Sequence, residues 1–257
     1  MKHISSRDNP RYKQLLRLVG GKREGRTVLE GIHLCQEWLR HRGPPEFALF
    51  DAQRLERDAE LAQLAQALPP GVAVSCEPGL ARGLSQVQES QGVYFETLVP
   101  QETPPAEISS TSLWLDRVQD PGNLGTLLRT AAAAGIEHAY LSTGCAGAWT
   151  PKVLRSAQGA HFAMRLYEDV DLVGLHARLR IPLVATALDN AASLYDTALP
   201  PECVWLMGNE GRGVAQALLA LADQRVYIPQ AAGVESLNVA AAAAICLFEH
   251  RRRFSKR

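Results

Sequence analysis

Three short segments of this chain combine residue types that can bind a small polar ligand and position a reacting group. They are Asp120–Arg129, Leu206–Val214 and Ile228–Val239. Each has a cluster of Gly, Asn, Ser or Glu after an apolar run and leads into a helix-like segment. Open α/β sheets bind ligands where strand carboxyl ends meet helix amino ends, so the second and third segments, which are close together in sequence, predict one shared site. The first segment has the same character.

The glycine-rich segment Gly208–Gly213 predicts close approach of the backbone to a ligand, because glycine has no side chain to prevent it. Its amides could then hydrogen-bond a carboxylate or an adenine edge. Glu210 would repel a phosphate, and the absence of GxGxxG spacing disfavours a nucleotide-dependent oxidoreductase. An ordinary glycine-rich turn, with Glu210 early in the next helix, explains the pattern equally well.

Polar residues near the helix starts each allow two interpretations. Asn123 precedes the apolar run that begins at Leu124, and Ser236 precedes the last helix, so both are candidate helix caps. Asn238 would then be a first-turn residue. Arg129 lies among apolar residues, which favours a specific anionic partner over a merely solvated charge.

The composition is that of a globular protein with an uneven distribution of charge. The 257 residues are 46% hydrophobic and 21% charged, and the net charge is zero. Residues 1–26 hold eight Lys or Arg against two acids, and residues 249–257 hold five against one. Basic ends on an acidic body fit a polyanionic partner, although charged termini are also common in proteins without one.

Several other classes of protein are disfavoured by what the sequence lacks. No apolar run reaches the ~18 residues of a membrane span, and the first residues lack the apolar core of a signal peptide. The five cysteines are scattered and include no CxxC pair. This favours a cytoplasmic protein without disulfides, and no metal site is expected.

The order of the elements predicts two α/β domains joined by a linker. Residues 1–98 alternate short strands and helices, residues 99–112 are rich in Pro and Ser, and residues 113–257 alternate more regularly. This alternation predicts a parallel sheet with helices on both faces in the second domain. The expected strands there are 113–115, 138–141, 183–187, 204–207 and 226–228, and the expected helices are 124–134, 172–179, 215–222 and 237–252.

Together, the three segments resemble the motifs of the SpoU/TrmH family of SPOUT methyltransferases, over about residues 113–252. The first motif is Asp120–Gly125 with Arg129, the second is Met207–Gly213, and the third is Ile228-Pro229 with Glu235–Val239. The first domain resembles the family's substrate-binding domain of the L30e/L7Ae type. That likeness is looser and rests on two pieces of sequence, Ser6–Pro10 and Leu29–Gly31.

The resemblance implies an enzyme that uses S-adenosylmethionine to methylate the ribose 2′-hydroxyl of ribosomal or transfer RNA. It also implies a C-terminal domain with a deep trefoil knot, a smaller N-terminal RNA-binding domain, and a homodimer whose active sites are each completed by the second subunit. The implied catalytic positions are Asn123, Arg129, Glu210, Ser236 and Asn238. The implied cofactor-binding positions are Met207, Gly208, Glu210, Gly211, Ile228, Ser236, Leu237 and Asn238.

Three positions depart from the family pattern, and some alternatives stay open. Gln230 stands where family members often have Met, Ala240 stands where many have Ser, and Ala157 stands where the segment 152–160 usually has Ser. A non-catalytic RNA-binding protein of the same fold is the alternative function, although the complete set of site residues argues against it. The base could be Arg129, Glu210 or the RNA itself; the high pKa of a guanidinium favours Arg129 as a phosphate or alkoxide contact.

Overall fold

The computed structural model describes residues 1–21, 25–233 and 236–254, which form two compact units. The first unit comprises residues 1–100 and 149–155, and the second comprises the rest of the chain. Outside the described residues lie Glu235 of the third motif and four of the basic residues, Lys22, Arg23, Lys256 and Arg257. Within the described part of the chain, no helix is long and apolar enough to cross a membrane.

The first unit contains a mixed five-stranded sheet. Its strands are β1 (Lys2–Ile4), β2 (Arg26–Glu30), β3 (Phe47–Asp51), β4 (Ala73–Cys76) and β5 (Val93–Leu98), in the order β1-β4-β3-β5-β2. Its helices are α1 (Pro10–Val19), α2 (Ile32–Arg42), α3 (Ala52–Arg57), α4 (Ala59–Gln66) and α5 (Pro78–Leu84). Strands β1, β4 and β3 are parallel, whereas β5 runs antiparallel to β3 and β2.

Side-chain caps begin three helices of the first unit, α1, α3 and α4. Asn9 caps α1 by accepting hydrogen bonds from the amides of Arg11 and Tyr12. The sequence predicts one helix over residues 55–68, but two shorter ones are present. Asp58 has extended backbone, ends α3, and caps α4 with its own carboxylate. The helical pattern is therefore interrupted by a cap in its middle.

The second unit is built on a seven-stranded sheet whose paired strands are all parallel. Its strands are β6 (Ser112–Leu115), β7 (His138–Ser142), β8 (Arg165–Val170), β9 (Leu183–Thr186), β10 (Ala192–Ser193), β11 (Val204–Met207) and β12 (Gln224–Tyr227). The helices that follow α5 along the chain are α6 (Pro121–Ala133), α7 (Pro151–Ala157), α8 (Leu172–Leu175), α9 (Gln216–Leu221) and α10 (Val239–Phe254). The strand order is β10-β12-β9-β11-β6-β7-β8.

The parallel sheet confirms the α/β architecture expected for the second domain, and all five expected strands are present. The sequence does not predict β8 and β10. Strand β8 carries the charged residues Glu168 and Asp169, which interrupt its apolar pattern. Asp169 also has a positive φ, and the register of β8 against β7 shifts there. Strand β10 has two residues, too few for a pattern. Tyr140 and Tyr167 stack in the core at 4.5 Å between ring centroids.

Part of the expected linker over residues 99–112 is packed into the second unit. Ile108 is buried, its amide donates to the carbonyl of Arg178, and its carbonyl accepts from the amide of Arg180. Glu107 forms an ion pair with the Arg180 side chain. Three prolines and three serines in residues 99–112 give this stretch the composition of a flexible linker, but Ile108 is held by backbone hydrogen bonds.

An arginine near the end of α10 anchors a loop of the second unit. The Arg253 guanidinium donates to the carbonyls of Leu194, Tyr195 and Thr197, and to the carboxylate of Glu249. Its side chain is 18% exposed. Arg253 belongs to the basic C-terminal segment that suggested a polyanionic partner, but its donors are used within the unit.

Replacing Arg253 by Met should lower the free energy of unfolding by about 2–3 kcal/mol, because three carbonyls lose charged donors in a partly buried setting. Arg252→Met is the matched control. Arg252 bonds the same Glu249 but is 70% exposed, so its loss should have a much smaller effect on stability. Denaturant unfolding followed by circular dichroism measures both changes. Equal losses would contradict the anchoring role.

Candidate active site

A cavity of about 540 Å³ opens at the carboxyl ends of three neighbouring strands, β12, β9 and β11. Residues after β9, the glycine-rich segment after β11, residues after β12, and the start of α10 form its walls. Small-molecule sites commonly have volumes of roughly 300–1,000 Å³. The cavity therefore has both the size and the place in the sheet expected of a ligand site.

The cavity brings together residues of the second and third motifs. Seven of the eight positions implied for cofactor binding line it: Met207, Gly208, Glu210, Gly211, Ile228, Ser236 and Leu237. Asn238, the eighth, is not among the lining residues, although its neighbours on both sides are. Two distant segments of sequence thus share one wall, and their role in binding remains a prediction.

The glycine-rich segment folds into a turn that is held by one asparagine. Asn209 and Gly213 exchange two backbone hydrogen bonds, at 3.0 and 2.9 Å. The Asn209 side-chain oxygen accepts from the amides of Gly211 and Arg212, and its Nδ2 donates to the carbonyl of Arg117. Sequence reasoning missed Asn209 as a site residue. Its signal was available, because asparagine side chains stabilise turns in this way.

Gly208 faces the backbone on the opposite side of this turn. A Cβ at this position would lie 2.2 Å from the carbonyl carbon of Gly213 and from the amide nitrogen of Val214. Backbone atoms cannot move aside as a flexible side chain can. Only glycine fits at residue 208, and the reason is this contact and not an unusual φ.

A buried aspartate ties the glycine-rich turn to β6. Asp116 directly follows β6, and its carboxylate accepts from the amide of Ala215 at 2.8 Å, immediately before α9. The Arg117 guanidinium donates two hydrogen bonds to the same carboxylate. Sequence reasoning missed Asp116 too, because a single acid at a strand end has no distinctive pattern.

A chain of hydrogen bonds joins one residue from each of the three motifs. The Glu210 carboxylate accepts from Nδ2 of Asn123 at 3.2 Å and from the amides of Asp120 and Gln119. Asn123 in turn accepts from Nδ2 of Asn238 at 2.9 Å. Three of the five residues implied for catalysis therefore contact one another as a group, called here the Glu210–Asn123–Asn238 chain.

Helix α6 presents Asn123 to this chain through its own cap. The sequence suggests that Asn123 caps a helix that starts at Leu124, but α6 starts at Pro121. Asp120 is the cap and accepts from the amide of Asn123 at 2.8 Å. That leaves the Asn123 side chain free, in the first turn, to reach Glu210.

The cap of α10 is Asn238, so the expectation that Ser236 caps this helix is wrong. Asn238 Oδ1 accepts from the amides of Ala240 and Ala241, at 2.9 and 3.3 Å. The other half of its amide group donates to Asn123. Ser236 is exposed, outside the helix, and lines the cavity. The helix begins two residues later than predicted because an amide cap satisfies the first-turn amides there.

The hydrogen bonds around Glu210 keep its carboxylate ionised. Partial burial raises the pKa of Glu210, but hydrogen bonds from its own amide, from Asn123 and from the amides of Asp120 and Gln119 outweigh that effect. The net result is a pKa below the ordinary value for glutamate. A carboxylate with a lowered pKa is a weak base, so this environment disfavours Glu210 as the proton acceptor.

Arg129 lies apart from the other implied catalytic residues. It is exposed on α6, six residues after Asn123, which is about 9 Å along the helix axis and a third of a turn around it. Within the described part of the chain, its side chain has no hydrogen bond or ion pair. The guanidinium is therefore available to a partner from outside this chain.

Comparison with known proteins agrees with the motifs. The SpoU rRNA Methylase family model matches residues 110–248. The Bacillus subtilis protein named 23S rRNA (guanosine(2553)-2′-O)-methyltransferase RlmP is 34% identical, over 98% of this chain and 100% of that one. An uncharacterized tRNA/rRNA methyltransferase of Synechocystis sp. is also 34% identical, over 97% of this chain and 93% of its own.

Solved structures show the same likeness. The AdoMet-bound rRNA methyltransferase from Sinorhizobium meliloti superposes with a TM-score of 0.85 and 26% identity, over 99% of both chains. By their names, these relatives are methyltransferases of ribosomal or transfer RNA. This chain belongs to the SpoU rRNA methylase family.

Gly208→Ala should lower the free energy of unfolding by about 3 kcal/mol or more and abolish ligand binding in the cavity, because its Cβ would overlap backbone atoms. Gly211→Ala is the matched control in the same turn. The nearest atom to its Cβ would be Asn209 Oδ1, at 3.8 Å, so its effect should stay within about 1 kcal/mol. Thermal unfolding compares the two. Similar stability of both variants would contradict the packing argument.

The second unit should lose stability in acid as Glu210 becomes protonated. A carboxyl group whose pKa is lower in the folded state contributes stability above its unfolded pKa of about 4.3. That contribution is lost as the pH falls through the folded pKa. Glu210→Gln should therefore unfold more easily than the unsubstituted protein at pH 7, and the difference should shrink below about pH 4.3. Unfolding measured from pH 3 to 8 tests this, and a pH-independent difference would contradict it.

Proposed function

We propose that this chain transfers a methyl group from S-adenosylmethionine to a ribose 2′-hydroxyl of ribosomal RNA. The observation that carries the proposal is the cavity beside the Glu210–Asn123–Asn238 chain at the carboxyl edge of the sheet. Ribosomal RNA is favoured over transfer RNA because the Bacillus subtilis relative, which this chain matches from end to end, is named for a 23S rRNA nucleotide.

The residues of the cavity fit S-adenosylmethionine. The glycine-rich turn leaves backbone groups open to a ligand, and an ionised carboxylate, Glu210, forms part of the wall. A negative wall suits the positively charged sulfonium group and disfavours a phosphate. When bound, S-adenosylmethionine supplies the electrophilic methyl group. The cavity wall then has to hold that group in line with the attacking oxygen.

Each of the implied catalytic residues has a distinct role in this proposal. Glu210 and Asn123 are positioning residues, since their polar atoms are engaged with each other and with the backbone at the start of α6. Asn238 fixes Asn123 and the start of α10. Ser236 is exposed at the cavity, where its hydroxyl is placed to hydrogen-bond the substrate ribose. Arg129 binds a phosphate or the developing alkoxide, because its positive charge stabilises the negative charge on either group.

We propose further that two copies of the chain associate through α6 and α10. These two helices pack against each other, and each keeps one face uncovered in the single chain. On α10 the exposed face includes Ala241 and Phe248, the latter 46% exposed. On α6 it includes Thr126, Arg129 and Ala133. A second copy would cover the apolar side chains and receive Arg129 in its own site.

The path of the chain supports the trefoil knot that the resemblance implies. Strand β11 is inserted between β6 and β9, and β12 then lies beyond β9. From there the chain returns to α6, where Asn238 contacts Asn123 and α10 packs along the helix. Ser236 and Leu237, at the end of this return, line the same cavity as residues that follow β9 and β11. A trefoil knot requires such a segment to pass through one of those loops.

The first unit is proposed to bind RNA as the L30e-like domain of this family. Its exposed basic side chains include Lys2, Arg7 and Arg17, for which no ion pair is found among the described residues. Two others are engaged within the unit, since Lys13 pairs with Asp8 and the Arg11 guanidinium lies over a phenylalanine ring. Contacts between the exposed basic side chains and RNA phosphates give affinity and orientation but do not select an RNA sequence.

The function is tested by binding and by the position of the transferred label. Calorimetry with S-adenosylmethionine should show one site per chain, and label from its methyl group should enter unmodified 23S rRNA. A ribose 2′-O-methyl group blocks alkaline cleavage, so the label should remain in alkali-resistant dinucleotides. Label in a base, or in transfer RNA alone, would contradict the proposal, and absence of binding would favour a non-catalytic RNA-binding protein.

Arg129→Ala should reduce methyl transfer by about 100-fold or more and leave the affinity for S-adenosylmethionine unchanged, because Arg129 does not line the cavity. Arg180→Ala is the control, since it removes an exposed arginine that pairs with Glu107 far from the three motifs. Single-turnover rates and calorimetry measure the two properties. Normal turnover, or weakened cofactor binding, would contradict this role.

Mixing two inactive variants tests whether Arg129 acts in the partner's site. In a mixed dimer of Arg129→Ala with Asn238→Ala, one site would combine an intact Asn238 with the other chain's Arg129. Activity should therefore reappear on mixing and subunit exchange, up to one active site per mixed dimer. If Arg129 acted within its own chain, both sites of the mixed dimer would be defective and no activity would return.

A further inference from the structure

Gln230 contributes a buried polar atom without a partner to the cavity wall. Its side-chain oxygen is shielded from solvent and has no hydrogen bond to any described residue. Among the described residues that line the cavity, it is the only one with such an atom. Buried acceptors in native proteins are nearly always paired, and a rotation of the Gln230 side chain toward the cavity would bring its oxygen to a donor on a ligand.

The position of Gln230 in the sheet shows which part of a ligand it faces. It follows β12, whereas Glu210 follows β11, and β9 lies between the two strands. Neighbouring strands are about 4.8 Å apart, so the two strand ends are roughly 10 Å apart. Under the proposed function, methyl transfer takes place beside Glu210. Gln230 therefore faces a part of the cofactor that is remote from the reacting methyl group.

We propose that the Gln230 side-chain oxygen accepts a hydrogen bond from an amino group of bound S-adenosylmethionine and thereby sets the affinity for this cofactor. The inference rests on the proposed function. Two donors of this chemistry are present on the molecule, the exocyclic amine of the adenine and the ammonium group of the methionine part.

A contact this far from the reacting atoms stabilises the bound ground state and the transition state equally. Its loss should raise KM and leave kcat unchanged. Removal of an unpaired buried acceptor should at the same time leave the ligand-free protein equally stable or more stable. Loss of a binding contact should thus weaken cofactor binding without lowering the stability of the ligand-free protein. Loss of a structural contact would lower that stability.

Gln230→Met removes the acceptor while keeping the length of the side chain. We expect the Kd for S-adenosylmethionine, measured by calorimetry, to rise about 5- to 30-fold, with an equal or higher Tm of the ligand-free protein. Gln230→Glu keeps an acceptor oxygen and should stay within about threefold of the original Kd. Gln224→Met is the matched control, because the Gln224 side-chain oxygen is also buried without a partner among the described residues but Gln224 does not line the cavity, so the Kd should stay unchanged.

Product analogues identify the donor. If the adenine amine is the donor, the Gln230→Met effect should vanish with S-inosylhomocysteine, in which a carbonyl replaces that amine. If the ammonium group is the donor, the effect should vanish with methylthioadenosine, which lacks the amino-acid part. An unchanged Kd in Gln230→Met, or an effect that persists with both analogues, overturns the inference and leaves the proposed function intact. Failure of the unsubstituted protein to bind S-adenosylmethionine overturns both.

Discussion

The hydrogen bonds from Glu210 to Asn123 and from Asn123 to Asn238 are the constraint on which the second unit depends. They join residues that are about 90 and 115 positions apart in sequence, at the ends of β11, β6 and the last loop. Each group is satisfied only when all three segments are in place. An ionised carboxylate at the head of this chain is stable there because four donors surround it and offset its partial burial.

Around this chain, most of the cavity wall is shaped by backbone atoms and by side chains that bind backbone. Asn209 folds the glycine-rich turn, Asp116 ties that turn to β6, and Gly208 allows its two sides to touch. This division of labour leaves few side chains for direct contact with a ligand. Ser236 and Gln230 line the cavity and are not needed for the turn, so they are among the side chains that a ligand could contact.

Much of the second unit could be predicted from sequence because its elements are regular. The alternation of short apolar runs with helical segments gave the parallel sheet, and three polar clusters after strands indicated a shared edge. Strands β8 and β10 escaped prediction since one carries charges and a register shift and the other has two residues. The convergence of Glu210, Asn123 and Asn238 was implied only through family resemblance, because spacing along a chain does not say which strands become neighbours.

The details that sequence could not supply are choices between equivalent polar groups. Any of Asn123, Ser236 and Asn238 would be an acceptable helix cap by residue type. Only the fold shows that Asp120 caps α6 and that Asn238 caps α10. Arg129 could have been a fourth member of the site within one chain, but helix geometry turns it away from the others. Such choices depend on tertiary distances, which local propensity does not encode.

One amide group serves two structures at once in Asn238. Its oxygen holds the first turn of α10, and its nitrogen holds Asn123 and, through it, Glu210. Aspartate or serine at this position would preserve the cap and lose the amide donor. Asparagine combines both functions in one amide group, an acceptor for the helix amides and a donor to Asn123. A substitution at residue 238 therefore disturbs the start of α10, the position of Asn123, or both.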